Sequence, residues 1–422
     1  MRLNRRLFIG SAAAVSAGLA APAVVGQAKP KVIVVGGGCG GATAARYIAI
    51  NRSDIIDVTL IEPQQTYYTC FFSNLYIGGY RDLDSIAHSY EYLPGHGINV
   101  VHEWVTGIDR DSHTVTLGNG DTMNYDKLVL SPGIDFIEGS VPGWSLDAQD
   151  KMPHAYKSGA LSETLLNQIM AMPQGGTFCL VAPPNPYRCP PGPYERTSMV
   201  ANRLKQINPT AKILLVDPKE KFAKQALFED GWQRHYSGMI ERIGPEMGGG
   251  EVSVDPNAMT VTIGGETVNV DACNVIPAMK AGALADMAGV TDGNWAPINA
   301  FDLSSKVDPN VHVIGDACAN GDMPKSGFAA NSQAKVCANS IRAELLGDDK
   351  FRARFTNSCW SLLGDDDGVK VGAIYQATEE KIEVVSGFIS SVGESDDLRE
   401  LTYQESIGWY AGITSDMFGK PA

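Results

Sequence analysis

The sequence predicts an α/β fold with two Rossmann-like dinucleotide-binding domains and a C-terminal α+β domain that supplies an interface. Three observations lead there. A β-branched strand over 31–35 runs straight into a glycine turn and an alanine-rich helix. A second strand and helix block lies between 158 and 217, and from about Lys350 the pattern changes again. With 422 residues and 44% hydrophobic content, the chain can bury two or three cores.

In the first block, Gly36 permits the tight turn and Gly38 lets backbone approach a pyrophosphate. Gly41 lets a helix beginning near Ala42 pack on the strand, so that its N-terminal amides and dipole face the phosphates. A strand over 58–61 ends in Glu62, 21 residues after Gly41, where a carboxylate accepts from the ribose hydroxyls of an adenosine. A β-rich return over 98–129 follows. The short strand ending in Gly315 and Asp316 resembles the second flavin motif of the two-dinucleotide-domain flavoproteins, in which the acid bonds the ribityl chain. The turn at Gly327 opens a small-residue helix over 328–341, whose N-terminus would stabilise reduced flavin. The strand and turn ending at Gly133 resemble that family's third marker. In order along the chain, the three argue for FAD at Gly36, Gly38 and Gly41. Residues 29–150 and 296–346 are thus assigned to an FAD-binding domain.

Residues 151–295 have the outline of a second nucleotide domain: a helix over 158–172, a strand over 177–182, a helix over 195–207 and a strand over 212–216 ending in Asp217. Where a nicotinamide site needs glycines, the chain has a proline-rich loop over 183–193. That loop is too rigid and bulky for a pyrophosphate cradle, so a nicotinamide site is not expected. Residues 347–422 form the C-terminal domain, with an acidic, polar tail unlike a basic membrane-surface anchor.

Residues 1–28 read as a twin-arginine export signal: Arg5 and Arg6 precede a weakly apolar stretch closing at Ala28. Ser11, Ser16 and Gly18 make it a poor membrane anchor. No later stretch reaches the ~18 apolar residues a span needs. The expected location is the periplasm, with FAD loaded before export. Removing Arg2, Arg5 and Arg6 takes the formal charge from −14 to −17, which argues against a nucleic-acid partner. The eight cysteines and seven histidines show no metal-ligand spacing, and no Cys-x-x-Cys-His attaches a haem.

Arg188 to Arg196, read with Cys70 among aromatic residues and Cys359 beside Trp360, is similar to the flavoprotein subunit of flavocytochrome c sulfide dehydrogenase. That family is related to the sulfide:quinone oxidoreductases within the glutathione reductase-like flavoproteins. The resemblance implies an 8α-S-cysteinyl thioether from Cys70 to FAD, although one such cysteine by itself also reads as a small buried apolar residue. It further implies a redox disulfide between Cys189 and Cys359, with Cys359 nearer the flavin, and Glu195 as the acid beside it. Glu195 alone also fits a first-turn acid favouring the helix dipole. The implied activity is oxidation of sulfide to sulfur or polysulfide by a sulfide-cytochrome-c reductase, with electrons passing to a c-type cytochrome subunit in a heterodimer. Two alternatives are a sulfide:quinone oxidoreductase and a non-catalytic persulfide-carrying flavoprotein. Cys39, Cys179, Cys273, Cys318 and Cys337 are expected to be buried small residues.

Overall fold

The computed structural model describes residues 28–419. The expected export signal therefore lies, apart from Ala28, outside the described residues. The first sheet is parallel throughout, in the order Val311–Val313, Lys127–Leu130, Lys31–Val35, Asp57–Ile61 and Ile98–Val101. Its central strands are apolar and buried along nearly their whole length, as a sheet covered on both faces requires.

The glycine turn leaves the middle of this sheet. Its helix is Cys39–Ala49, starting three residues before the expected Ala42, so Gly41 lies within the first helical turn. A Cβ at Gly41 would sit 1.8 Å from the Gly36 carbonyl oxygen, and one at Gly36 would sit 2.3 Å from that of Ser131. Gly36 also adopts a φ of +99°, a conformation glycine reaches without steric cost. This helix packs against Gly327–Leu346, which begins where expected but continues beyond Ile341 to end at Gly347 in the left-handed region. Ser326 caps it, its Oγ accepting from Ala329 N–H at 3.0 Å.

The second parallel sheet is ordered Ile240–Ile243, Lys212–Val216, Thr177–Val181 and Ala272–Val275. Its first helix is Ala160–Met170, shorter than the expected 158–172. The helix expected from Glu195 starts instead at Gly192, because Pro193 sits in the first turn, where a missing N–H costs no hydrogen bond. An antiparallel ribbon of Ile134–Phe136 with Met279–Ala281 joins the two sheets. The fold is therefore the two-Rossmann α/β class that the sequence predicts, with a further α+β layer.

That layer is an antiparallel sheet of Arg354–Leu362, Gly368–Ala377 and Ile382–Ile389, followed by the helix Asp396–Phe418. The acidic tail is thus a helix with Asp396 and Asp397 in its first turn, favourably placed on its dipole. Buried Arg399 pins the helix through Asp367 at 2.8 Å and Glu394 at 3.1 Å. Tyr410 and Phe418 then pack into the first domain beside Phe72 and Tyr90.

Because no side chain fits at residue 41, Gly41→Ala should lower unfolding stability by at least ~2 kcal/mol in urea titration. An unchanged midpoint would show that the turn has room to open.

Candidate active site

A cleft of ≈ 520 Å³ opens at the carboxyl ends of the first sheet, where ligands bind in doubly wound folds. Gly36, Gly38, Glu62, Cys70, Gly133, Gly315, Asp316 and Gly327 all line it. Gly41 does not; it sits behind the turn and sets its shape. Glu62 Oε2 accepts from Gly37 N–H at 2.8 Å and Oε1 from Gln64 N–H at 3.0 Å, fixing the carboxylate at the cleft rim. Asp316 is the informative member. Its Oδ1 is buried with no hydrogen-bond partner, and burial pushes its carboxyl above the ordinary range. A buried acceptor left open calls for a donor from a ligand, as a ribityl hydroxyl supplies. The glycine turn, the two helix N-termini and this open acceptor fit FAD.

A second cavity adjoins the cleft, and Cys70, Arg188, Ser326 and Gly327 line both. Its wall carries Cys189, Glu195 and Cys359 from three separate elements. Cys189 lies in the proline-rich loop with a φ of +57° and donates its N–H to Lys325 O at 2.7 Å. Cys359 lies on the strand Arg354–Leu362, with Asn357 Nδ2 at 3.5 Å from its Sγ. Neither is bonded to another cysteine here, and both face the same chamber. Burial raises the Cys189 thiol well above its ordinary range, and Cys359 and Glu195 push it further. Burial also raises Cys359, but Lys224 and Asn357 oppose the shift.

Glu195 is held at both oxygens. Asn74 Nδ2 donates to Oε2 at 2.8 Å and Leu362 N–H to Oε1 at 3.0 Å. Burial raises its carboxyl despite both bonds, favouring a group that can exchange a proton. Beneath it, buried Arg196 donates to Asn74 Oδ1 and Asn274 Oδ1, both at 3.0 Å, and to Ala155 O at 2.7 Å.

Comparison with known proteins agrees with this geometry. The family model described as "Sulfide dehydrogenase [flavocytochrome c] flavoprotein chain, central" matches residues 162–277. "Flavocytochrome c sulphide dehydrogenase, flavin-binding" matches 352–418, and "Pyridine nucleotide-disulphide oxidoreductase" matches 30–165. Over 44 residues the chain is 50% identical to the "Sulfide dehydrogenase [flavocytochrome c] flavoprotein chain" of Chlorobaculum thiosulfatiphilum, covering 10% of this chain and 90% of that sequence. Two models of the flavocytochrome c sulfide dehydrogenase flavoprotein thus match this chain, over its central and its C-terminal part. It is also 22% identical over 334 residues to the mitochondrial sulfide:quinone oxidoreductase of Dictyostelium discoideum, covering 75% of this chain and 71% of that one. The solved structure of the sulfide:quinone oxidoreductase of Aquifex aeolicus shares the fold, with a TM-score of 0.71 at 17% identity over 93% of this chain and 92% of that one.

In this flavoprotein the second Rossmann unit is filled by its own side chains. Asp217, where a nucleotide ribose would be read, is fully buried and bonded to Lys219 at 2.8 Å, Arg242 at 3.1 Å and Tyr194 OH at 3.0 Å. Tyr194 stacks on Phe222 at 3.6 Å between centroids. The residues missed by sequence reasoning are Arg188, Asn74 and Lys224. Arg188 stands beside Cys189 in the chain, but nothing local marks it as a wall of both cavities with Nη2 unpartnered. Asn74 and Lys224 carry no motif. The five remaining cysteines are all buried, and Cys39 Sγ donates to Gly327 O at 2.9 Å within the cleft.

NADH and NADPH should not reduce the flavin at useful rates, because Asp217 is spent on internal partners. Rapid anaerobic bleaching by either nucleotide would overturn that reading.

Proposed function

We propose that this flavoprotein oxidises sulfide through Cys189 and Cys359 and delivers the electrons, one at a time, to a c-type cytochrome subunit. The observation that carries the reading is the junction of the two cavities: the cysteine pair and Glu195 share one chamber, and that chamber meets the flavin cleft at Cys70. In the oxidised protein the two cysteines form a disulfide, which a small thiolate such as hydrosulfide attacks. Glu195, held by Asn74 and Leu362, accepts the proton released by substrate or thiol. Asp316, Glu62 and the glycine turn would hold FAD, and Cys70 on the same cleft wall is the residue that would tether it. FAD, when bound, supplies an acceptor for an electron pair that can be released singly.

The family's name supports a cytochrome acceptor, and relatives named sulfide:quinone oxidoreductases support a quinone as the second reading. No helix among the described residues is long and apolar enough to cross a membrane. The edge strand Ile382–Ile389 leaves Val384, Val385, Phe388 and Ile389 about half exposed, apolar surface of the kind a partner protein covers. Export to the periplasm belongs to the same reading, since the flavin would be loaded before transport.

Three measurements test it. Acid denaturation should leave flavin on the polypeptide, and Cys70→Ser should free it; recovery of all flavin from the unmodified protein as a small molecule would exclude the tether. Cys189→Ser and Cys359→Ser should each abolish anaerobic flavin reduction by sulfide while dithionite still reduces both, and near-normal sulfide rates would refute the relay. Glu195→Gln should slow reduction by ~10²-fold and flatten its acid limb, since the raised carboxyl must be ionised to accept a proton; an unchanged rate and profile would leave Glu195 a purely structural acid.

A further inference from the structure

Lys224 is a buried cation that the relay described so far leaves unused. It precedes the helix Gln225–Tyr236 in the left-handed region, with a φ of +63°, and is 5% exposed. Its ammonium donates to Cys359 O at 3.2 Å and to Ser361 Oγ at 2.7 Å, not to a carboxylate. Of the other buried lysines, Lys127 is neutralised by Glu344 at 2.5 Å and Lys219 by Asp217 at 2.8 Å, while Lys325 spends its three donors on Asp316 O, Cys318 O and Asn320 Oδ1. An ammonium has three donors, so Lys224 keeps one N–H uncommitted beside the cysteine strand. An unneutralised buried charge is costly unless something compensates it. The groups of opposite tendency facing it are Cys359, Glu195 and Cys189.

We infer that Lys224 is a positioning charge that makes Cys359 the leaving thiolate when the disulfide opens, and so directs sulfide to Cys189. The inference rests on the disulfide relay proposed above. In that step the hydrosulfide sulfur bonds to Cys189 Sγ and the Cys189–Cys359 bond breaks. The bonding pair leaves on Cys359 Sγ, and the hydrosulfide proton stays on the outer sulfur of the Cys189 persulfide. One negative charge enters and one remains, now on Cys359 beside an ammonium. Thiol–disulfide exchange is faster when the leaving thiol is the more acidic, so a cation on the Cys359 side selects which sulfur is attacked. Asn357 Nδ2 also approaches Cys359 Sγ at 3.5 Å, and although both cysteines feel both charges, Lys224 outweighs Glu195 at Cys359 while Glu195 outweighs Lys224 at Cys189. The ionisable groups around Cys359 are Lys224 at the entry to one helix, Glu195 on another, Cys189 from the proline loop and Tyr375 from the adjacent strand. Of these only Lys224 is cationic. Burial lowers its ammonium to about 8, so the charge persists at neutral pH and is shed in mild alkali.

The test is the pH profile of Cys359 alkylation by iodoacetamide in the full-length, flavin-loaded protein after reduction, resolved from Cys189 by peptide mass mapping. Lys224→Met should make Cys359 alkylation about tenfold slower at pH 7, where the ammonium is charged, with the difference closing above pH 8 as the unmodified protein sheds that charge. Lys224→Arg should stay within about threefold of the unmodified protein, because the charge is retained. Lys224→Gln serves if the Met variant does not fold, with circular dichroism as the check. A Cys359 profile that stays put in a folded, uncharged variant overturns the inference, since a merely structural lysine would not shift it. A parallel sample without reductant separates this from the relay itself. If both cysteines are alkylated there without reductant, the disulfide reading fails, while the profile of the reduced protein still decides the role of Lys224.

Discussion

The backbone hydrogen bond from Cys189 N–H to Lys325 O, at 2.7 Å, is the constraint on which the site depends. It ties the proline loop of the second Rossmann unit to the turn that opens the helix Gly327–Leu346 of the first. Asn74 of the first unit adds a second tie, its Nδ2 donating to Gly192 O at 3.2 Å where the loop enters its helix. With both ties, Cys189 and Arg188 are held at the junction of the two cavities. The prolines on both sides of Cys189 restrict the loop further, and Cys189 itself takes up a positive φ. Such strain persists where surrounding structure over-determines it, as at a reactive site.

A second anchor comes from the C-terminal layer. The strand Arg354–Leu362 carries Cys359 and, three residues on, the Leu362 N–H that holds Glu195. One strand therefore sets both the second cysteine and the acid facing the first. Arg196 and Asn74 complete the frame from beneath, in a buried network where each amide and guanidinium finds a partner. Satisfied buried networks rigidify a site, and removing one member leaves the others unpaired at a cost of several kcal/mol. The same economy explains the closed second Rossmann unit. Asp217 keeps the place of a ribose-binding acid but is consumed by Lys219, Arg242 and Tyr194.

The fold class was legible because its signals are local. Gly36, Gly38 and Glu62 lie on one continuous strand, turn, helix and strand, and backbone sterics make such a turn recognisable wherever it occurs. Helix ends were less legible: Gly192 and Cys39 begin their helices three residues early, because a glycine or a proline is tolerated in a first turn that has no intrahelical donors to lose. At the site, Cys70, Cys189, Glu195 and Cys359 came to notice through family resemblance, not through spacing. Lys224 could not, since a lone lysine before a helix has no pattern. Its meaning comes from a partner 135 residues away in sequence. The C-terminal helix was hidden for a similar reason: its few buried residues, such as Arg399, Tyr410 and Met417, are not a clean apolar stripe.

The central claim is that sulfide sulfur enters through the cysteine pair before electrons reach the flavin. The most direct measurement is peptide mass mapping of the oxidised protein after one equivalent of sulfide, without air, with thiols trapped by alkylation. The account predicts that the Cys189 peptide gains one sulfur atom and Cys359 is released as a thiol before flavin absorbance falls, the flavin bleaching only as the persulfide and Cys359 are oxidised together to a sulfur-bridged pair. Flavin bleaching with neither cysteine carrying added sulfur would contradict it.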